Sequence, residues 1–130
     1  MRLFDTERYE RIIKNVQTNR YSVSIDGDTD NMLYGLETLA SEVKTENQSG
    51  NVFLMDTNMK AKIRDNMINH KHPIVFDSMY LGNKINVDPD MIPEKVLFID
   101  PDIVTLSGRV LGIERIGVID FSDTEQETDE

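Results

Sequence analysis

The chain has 130 residues, a length typical of one domain, and carries a net charge of −10 at pH 7 from 24 acidic and 14 basic residues. It contains no cysteine, which excludes disulfides, thiolate metal sites and cysteine nucleophiles. The acidic balance argues against a protein that follows a phosphate backbone, because such a protein needs a basic face. No apolar stretch is long enough for a signal peptide or a membrane span, so we expect a soluble protein.

The acidity is concentrated at the carboxyl terminus. Residues 120–130 contain six acids and no base, and leaving them out changes the net charge from −10 to −4. A net charge of −4 is ordinary for a small domain. We therefore predict a single α+β domain over residues 1–121 and a disordered acidic tail over residues 122–130, which has no apolar residue to bury.

The first predicted helix runs from Asp5 to Thr18, and either Asp5 or Thr6 can cap its start. Its apolar residues recur at helical spacing: Tyr9, Ile12, Ile13 and Val16. The segment Tyr21 to Ile25 then alternates apolar and polar residues, which predicts a short strand. A second helix is predicted from about Thr29 to Thr45, before a polar loop at residues 47–50. Its apolar stripe contains Met32, Leu33, Leu36, Leu39, Ala40 and Val43.

The segment Val52 to Met55 is wholly apolar and predicts a buried strand. A third helix is predicted to start at Asp56 or Thr57 and to end near Asn69. Its inner face is predicted to contain Met59, Ile63, Met67 and Ile68.

The second half of the chain is predicted to be rich in strands. The candidates are Ile74–Phe76, Lys84–Val87, Lys95–Ile99, Ile103–Leu106 and one within Arg109–Phe121. The element order favours an α+β fold in which two or three helices pack on one face of a mixed or antiparallel sheet.

The segment Asp26-Gly27-Asp28-Thr29-Asp30 is the sharpest chemical signal. Together with Glu37 it has the oxygen-ligand spacing of a calcium loop. Against this, Asn31 stands where such a loop has its turn glycine, and the helical stripe places Glu37 inside a helix. Acids gathered at a helix amino terminus are the favoured interpretation, since they complement the helix dipole. An enzyme would require this acidic cluster with a bound metal.

Three further motifs carry histidines or paired aspartates. His70 and His72 alternate and have no acid beside them, which indicates a solvated loop rather than a metal site. The patterns Asp88-Pro89-Asp90 and Asp100-Pro101-Asp102 present paired carboxylates. Asp-Pro is also a common turn former, so we interpret both as turns between strands. We predict no catalytic, cofactor-binding or metal-binding residue.

The middle of the chain resembles the later portion of tailed-bacteriophage major capsid proteins, whose fold is shared with encapsulin shells. The resemblance covers about Thr29 to Gly112. The segments that carry it are Val52–Asp56, Lys60–Arg64, Leu81–Val87, Asp90–Pro93 and Val96–Asp100. Two positions depart from the family pattern: Asn83-Lys84 stands where a proline is usual, and Ile99-Asp100-Pro101 stands where Gly-Asp is usual. A full capsid subunit is also considerably longer.

The resemblance implies a reduced version of that fold, roughly the axial domain that meets at symmetry axes. It implies a non-enzymatic viral structural or capsid-assembly protein, located in the virion or the host cytoplasm. The expected partners are other copies of the chain, in a homo-oligomer, and a full-length capsid protein; nucleic acid and membrane are not expected. The alternative is an acidic inhibitor or decoy that binds a basic protein surface.

Overall fold

The computed structural model describes residues 4–43, 51–71, 78–100 and 116–122. Within these ranges there are three helices, α1 (Thr6–Thr18), α2 (Met32–Glu42) and α3 (Thr57–Asn69). There are also six strands, β1 (Val23–Asp26), β2 (Val52–Met55), β3 (Met79–Tyr80), β4 (Asn83–Val87), β5 (Lys95–Ile99) and β6 (Gly117–Asp120). No helix in the described ranges is long and apolar enough to cross a membrane.

The six strands form one mixed sheet in the order β1-β6-β5-β2-β4-β3. The pairs β1–β6 and β2–β4 are parallel, and the other neighbouring pairs are antiparallel. Consequently β1, β6, β2 and β4 run in the same direction and end at the same edge of the sheet. The predicted α+β class, with helices packed on a mixed sheet, is confirmed.

The helices cover both faces of the sheet, and the expectation that they share one face is wrong. Val52 and Leu54 of β2 pack in a cluster with α1, whereas Phe53 and Met55 pack in a cluster with α2 and α3. Alternate side chains of a strand point to opposite faces, so the wholly apolar β2 presents apolar surface on both sides. Burying that surface therefore requires a helix layer on each side.

The helix starts follow from side-chain caps. The carboxylate of Asp5 accepts the Arg8 backbone N–H at 2.8 Å and begins α1, as predicted. Asn31, rather than an aspartate, caps α2 by accepting the Tyr34 N–H at 3.3 Å. As a result α2 starts at Met32, three residues later than predicted. It ends at Glu42, and the predicted end at Thr45 lies outside the described residues.

The inner face of α3 is smaller than predicted. Asp56 caps this helix through the Met59 N–H at 2.7 Å, and Met59, Ile63 and Met67 are buried. Ile68 was predicted to be buried but is 64% exposed. It lies about 100° around the helix from Met67, because a helix has 3.6 residues per turn, and so it points away from the sheet.

The predicted strands Val52–Met55 and Lys95–Ile99 have their predicted bounds, and β4 starts one residue before Lys84. The first strand begins at Val23 rather than Tyr21 because Asn19 forms a turn: its side chain accepts the Tyr21 N–H at 2.8 Å. The two-residue β3 was not predicted, and of Arg109–Phe121 only residues 116–121 are described, with β6 at Gly117–Asp120. The predicted strands 74–76 and 103–106, and all of the predicted tail beyond Ser122, lie outside the described residues.

Gly117 provides a test of how closely α2 packs on the sheet. A Cβ atom at this position would lie 2.4 Å from Leu39 Cδ1 and 2.6 Å from Val43 Cγ2. We therefore expect Gly117→Ala to lower the free energy of unfolding by about 1–3 kcal/mol, the usual cost of overpacking a core. Urea unfolding followed by circular dichroism measures this change.

Gly35→Ala is the matched control, because Gly35 lies within α2 and its added Cβ would meet ordinary contacts of 3.4 Å or more. This variant should be neutral or stabilised by up to about 1 kcal/mol, since alanine favours the helix. Equal destabilisation of the two variants would contradict the described packing of α2 on β6.

Candidate functional site

The acidic segment Asp26–Asp30 is arranged as a turn rather than as a calcium loop. Asp26 ends β1, and Asp28 Oδ1 accepts the Asp30 backbone N–H at 2.9 Å. Glu37 lies in the middle of α2, where it accepts a hydrogen bond from the Tyr80 hydroxyl at 3.4 Å. In the described ranges, no group of three or more His, Cys, Asp or Glu side chains is placed to hold a metal ion.

One of the two histidines, His70, lies at the end of α3. His70 is the exposed C-cap residue of α3, and its backbone N–H donates to the Asn66 carbonyl at 3.1 Å. His72 lies outside the described residues. His70 thus helps to end α3 through its backbone N–H.

The Asp88-Pro89-Asp90 motif is a turn between β4 and β5, as predicted, and Asp88 is fully buried within it. One carboxylate oxygen of Asp88 accepts the Asp90 N–H at 3.0 Å, which is the hydrogen bond expected of an aspartate in a turn. The other oxygen accepts a hydrogen bond from the hydroxyl of Tyr9 in α1. In the second motif only Asp100, which follows β5, is described.

The hydrogen bond between Tyr9 and Asp88 joins α1 to the turn that follows β4. Burial, the hydrogen bond to Asp88 and the negative charge of Asp88 raise the pKa of Tyr9 well above its usual value. Thr6 adds a second link, since its hydroxyl donates to the Asp90 carbonyl at 3.1 Å. The pair is thus a structural tie, which sequence reasoning did not identify. The available signal was a tyrosine in an otherwise aliphatic stripe, because a buried hydroxyl needs a partner.

Aspartates also mark the edge at which the four co-directional strands end. Asp26 and Asp120 are the last residues of β1 and β6, Asp56 follows β2 and Asp88 follows β4. Three of the four have structural partners: Asp56 caps α3, Asp88 binds Tyr9, and Asp120 meets Lys95 at 3.2 Å. Burial alone would raise the pKa of Asp120, but hydrogen bonds from Ser122 and from Lys95 lower the pKa overall.

The exposed apolar side chains form a different group. Five large ones are about half exposed or more: Tyr21, Tyr34, Ile68, Met79 and Leu81. Tyr34 belongs to α2 and Ile68 to α3. Met79 belongs to β3, and Leu81 to the turn that joins β3 to β4. Scattered exposed apolar residues are normal, so their conformations and neighbours decide whether they are informative.

A cleft of about 310 Å³ lies between α2 and α3. It is lined by Leu33, Tyr34 and Glu37 of α2 and by Met67 and His70 from the end of α3. Leu33 and Met67 are buried, whereas Tyr34 is 64% exposed. Asn31 and Asn66 also line the cleft, so polar groups, among them the Glu37 carboxylate, make up much of its accessible surface.

A second cleft, of about 450 Å³, lies beside the start of α3. The salt bridge between Lys62 and Glu94, at 3.0 Å, lies along it, and Asp56 and Asp65 also line it. Both partners of the bridge are about half exposed, so it contributes little to stability.

The turn between β3 and β4 has an unusual residue at its tip. Leu81 and Gly82 form a two-residue hairpin loop with φ angles of 54° and 78°. Two positive φ angles are typical of a type I′ turn, which prefers Asn-Gly, Asp-Gly or Gly-Gly. A leucine in the left-handed region costs on the order of 1 kcal/mol, and this one is also 48% exposed.

The buried hydroxyl of Tyr9 predicts a clear loss of stability on its removal. Tyr9→Phe deprives the buried Asp88 carboxylate of a donor, so we expect the free energy of unfolding to fall by about 1–3 kcal/mol. Tyr80→Phe is the control, because its hydroxyl bond to Glu37 is long at 3.4 Å and partly exposed. We expect it to cost less than about 1 kcal/mol in the same urea titration. A larger effect of Tyr80→Phe would contradict this assignment.

The same two tyrosines predict the direction of alkaline unfolding. Burial, the charge of Glu37 and the hydrogen bond to Glu37 raise the pKa of Tyr80 to about 12, and that of Tyr9 is raised further. An unfolded tyrosine titrates near about pH 10. The stability linked to both groups is therefore complete below about pH 10 and is lost as the pH rises above it.

Urea unfolding between about pH 9 and about pH 11 measures this loss. We expect the free energy of unfolding to fall less steeply with pH in Tyr9→Phe and in Tyr80→Phe than in the unmodified protein. Identical slopes in all three proteins would show that neither hydroxyl titrates with unfolding.

The chain matches no protein-family model, no curated protein and no solved structure.

Proposed function

We propose that the protein is a non-enzymatic viral structural or capsid-assembly protein that associates with itself, and that it corresponds to part of a tailed-bacteriophage major capsid protein. The observation that carries the proposal is the placement of the exposed apolar side chains. Four of the five, Tyr34, Ile68, Met79 and Leu81, fall within the part of the chain that resembles those capsid proteins. Apolar surface of this kind is what a subunit buries against its neighbours.

The segments that carry the resemblance also occupy the middle of the fold. They correspond to β2, the middle of α3, the β3–β4 turn with β4, the turn after β4, and β5. In the sheet, β5, β2 and β4 are consecutive neighbours. This supports a capsid-like unit made of one continuous piece of the sheet, with other copies of the chain and a full-length capsid protein as its partners, in the virion or the host cytoplasm.

The positions of the carboxylates support a non-enzymatic role. A general acid or base must reach its substrate, and the best-shielded carboxylate, Asp88, is fully buried and bonded to Tyr9. Asp56 and Asp120 are engaged in a helix cap and an ion pair. These aspartates therefore hold the fold together at the edge of the sheet.

One observation favours the alternative, an acidic inhibitor or decoy that binds a basic protein surface. Asp26, Asp28 and Asp30 are all exposed within five residues, so exposed acids occur on the folded domain as well as in the carboxyl-terminal segment. A surface of this kind speeds encounter with a basic partner.

The proposal predicts association that depends on concentration. Mass photometry and light scattering across a dilution series should show an oligomer that dissociates on dilution, and negative-stain images should show rings or particles at high concentration. A mass equal to one chain, 14.9 kDa, at every concentration would contradict self-association.

Deleting residues 123–130 separates the two functions. Ser122 is kept because its backbone N–H donates to Asp120 at 2.9 Å. We expect the shortened chain to form the same oligomer if the apolar surface drives assembly. An oligomer that is lost with the acidic segment would contradict the structural proposal and favour electrostatic binding instead.

A further inference from the structure

The strand β1 presents an open backbone edge. It is outermost in the sheet, so one side pairs with β6 and the other has no strand neighbour in the described ranges. The N–H groups of Val23 and Gly27 donate to carbonyls on the β6 side at 3.3 and 2.8 Å. Backbone groups alternate in direction along a strand, so the Ser22 carbonyl, both polar groups of Ser24 and the Asp26 N–H point to the open edge. A row of this kind is a template for another strand.

Nothing in the sequence of β1 blocks such pairing within the strand. Proteins often protect an edge strand with lysine or proline, and Val23–Asp26 contains neither. The outermost strand on the other side, β3, has only two residues and ends in the Leu81-Gly82 turn, where both φ angles are positive. Of the two outermost strands, β1 is therefore the one long enough to support a ladder.

The backbone of β1 is complementary to a second copy of itself. When two copies lie antiparallel about a two-fold axis at Ser24, the two serines exchange both of their backbone hydrogen bonds. Each Asp26 N–H then meets the Ser22 carbonyl of the other copy. The ladder ends there, because the Ser22 N–H already donates to the Asn19 carbonyl at 3.3 Å.

The same register brings apolar side chains together. Val23 lies opposite Ile25 of the other copy, in a pair without hydrogen bonds, where the side chains of two strands are closest. Both residues are only partly buried in the single chain, against the cluster that contains α2 and α3. Pairing therefore covers apolar surface that β1 leaves accessible.

The charges at the two ends of β1 are opposite. Before the strand, the Arg20 guanidinium donates to the Tyr21 hydroxyl at 2.8 Å and lies 4.9 Å from the centre of that ring. Asp26 and Asp28 are exposed at the other end. Antiparallel pairing brings the basic end of each copy to the acidic end of the other, whereas parallel pairing would place like charges together.

We infer that β1 pairs with β1 of a second copy of this chain, antiparallel about a two-fold axis at Ser24, so that the two sheets join into one. The inference rests on the proposed self-association and names an edge at which two copies meet. A contact limited to a short strand is smaller than a standard protein interface, so we expect a weak pair that dissociates on dilution.

A single introduced cysteine tests the register, because the chain contains none of its own. The Cα atoms of a hydrogen-bonded antiparallel pair lie about 5.5 Å apart, within the range that a disulfide spans. Ser24→Cys should therefore form a covalent dimer under mild oxidation, seen by electrophoresis without reductant. Asp26→Cys is the matched control: the two positions would lie about 13 Å or more apart, so its dimer should form at least about tenfold more slowly.

A proline at the same position tests the ladder itself. Ser24→Pro removes the N–H that faces the open edge, and an edge strand tolerates proline where that N–H faces solvent. We expect the dissociation constant from analytical ultracentrifugation to rise at least about tenfold. Ser24→Ala keeps the N–H and should associate like the unmodified chain. Melting temperatures at low concentration show whether each variant is folded.

A charge reversal tests the match between the two ends. Arg20→Glu places a carboxylate beside Asp26 and Asp28 of the other copy, so we expect the dissociation constant to rise about threefold or more. Arg64→Glu changes the net charge equally at an exposed position of α3 and should have less effect. An equal effect of both variants would show that only the overall charge matters and would contradict the proposed register.

The outcomes separate this inference from the proposed function. If the unmodified chain associates, but Ser24→Pro associates equally well and Ser24→Cys forms no covalent dimer, the edge named here is wrong and the proposed self-association stands. Cross-linking of Asp26→Cys as fast as Ser24→Cys would overturn the register even if Ser24→Pro failed to fold. If the unmodified chain is monomeric at every concentration, both proposals are wrong.

Discussion

The fold depends on the need to bury both faces of the two central strands. Every residue of β2 is buried, as are Val96 to Ile99 of β5, and Phe53 and Phe98 meet across the pair with ring centroids 4.6 Å apart. A sheet that is apolar on both faces is stable only between two layers. α1 covers one face and α2 with α3 covers the other, so the positions of all three helices follow from this central pair.

The same constraint determines the roles of many polar groups. The polar atoms of the backbone and side chains at the ends of buried strands are shielded from solvent, so they need hydrogen-bond partners within the protein. Aspartates meet this need at one edge by capping α3, binding Tyr9 and pairing with Lys95. At the opposite edge Asn51 is 1% exposed, and its side chain has no hydrogen-bond partner among the described residues. Most of the acids at the first edge therefore stabilise the fold.

Periodicity in the sequence predicted what depends on local pattern. The inner face of α1, the bounds of β2 and β5, and the cap at Asp56 all follow from residues close in the chain. What the sequence did not predict depends on contacts between distant residues. The burial of Asp88 depends on a hydrogen bond from Tyr9, 79 positions away. The second helix layer follows from the apolar run of β2, whose alternate side chains lie on opposite faces of the sheet. The resemblance singled out Leu81-Gly82, but the positive φ of Leu81 becomes visible only once β3 and β4 are paired.

The pairing of β1 with β6 has a consequence for how the chain folds. Val23 of β1 lies opposite Gly117 of β6, so β1, near the start of the chain, is held in the sheet by a strand that is distant in the sequence. A contact of such long sequence separation closes late, because the entropy of a large loop must be overcome first. Before β6 is made, α1 and α2 can contact the apolar side chains of β2 and β5, but the part of each helix face that packs against β6 stays uncovered. Chains that end before Gly117 lack β6 and therefore leave β1 and β5 without the neighbour that joins them in the sheet.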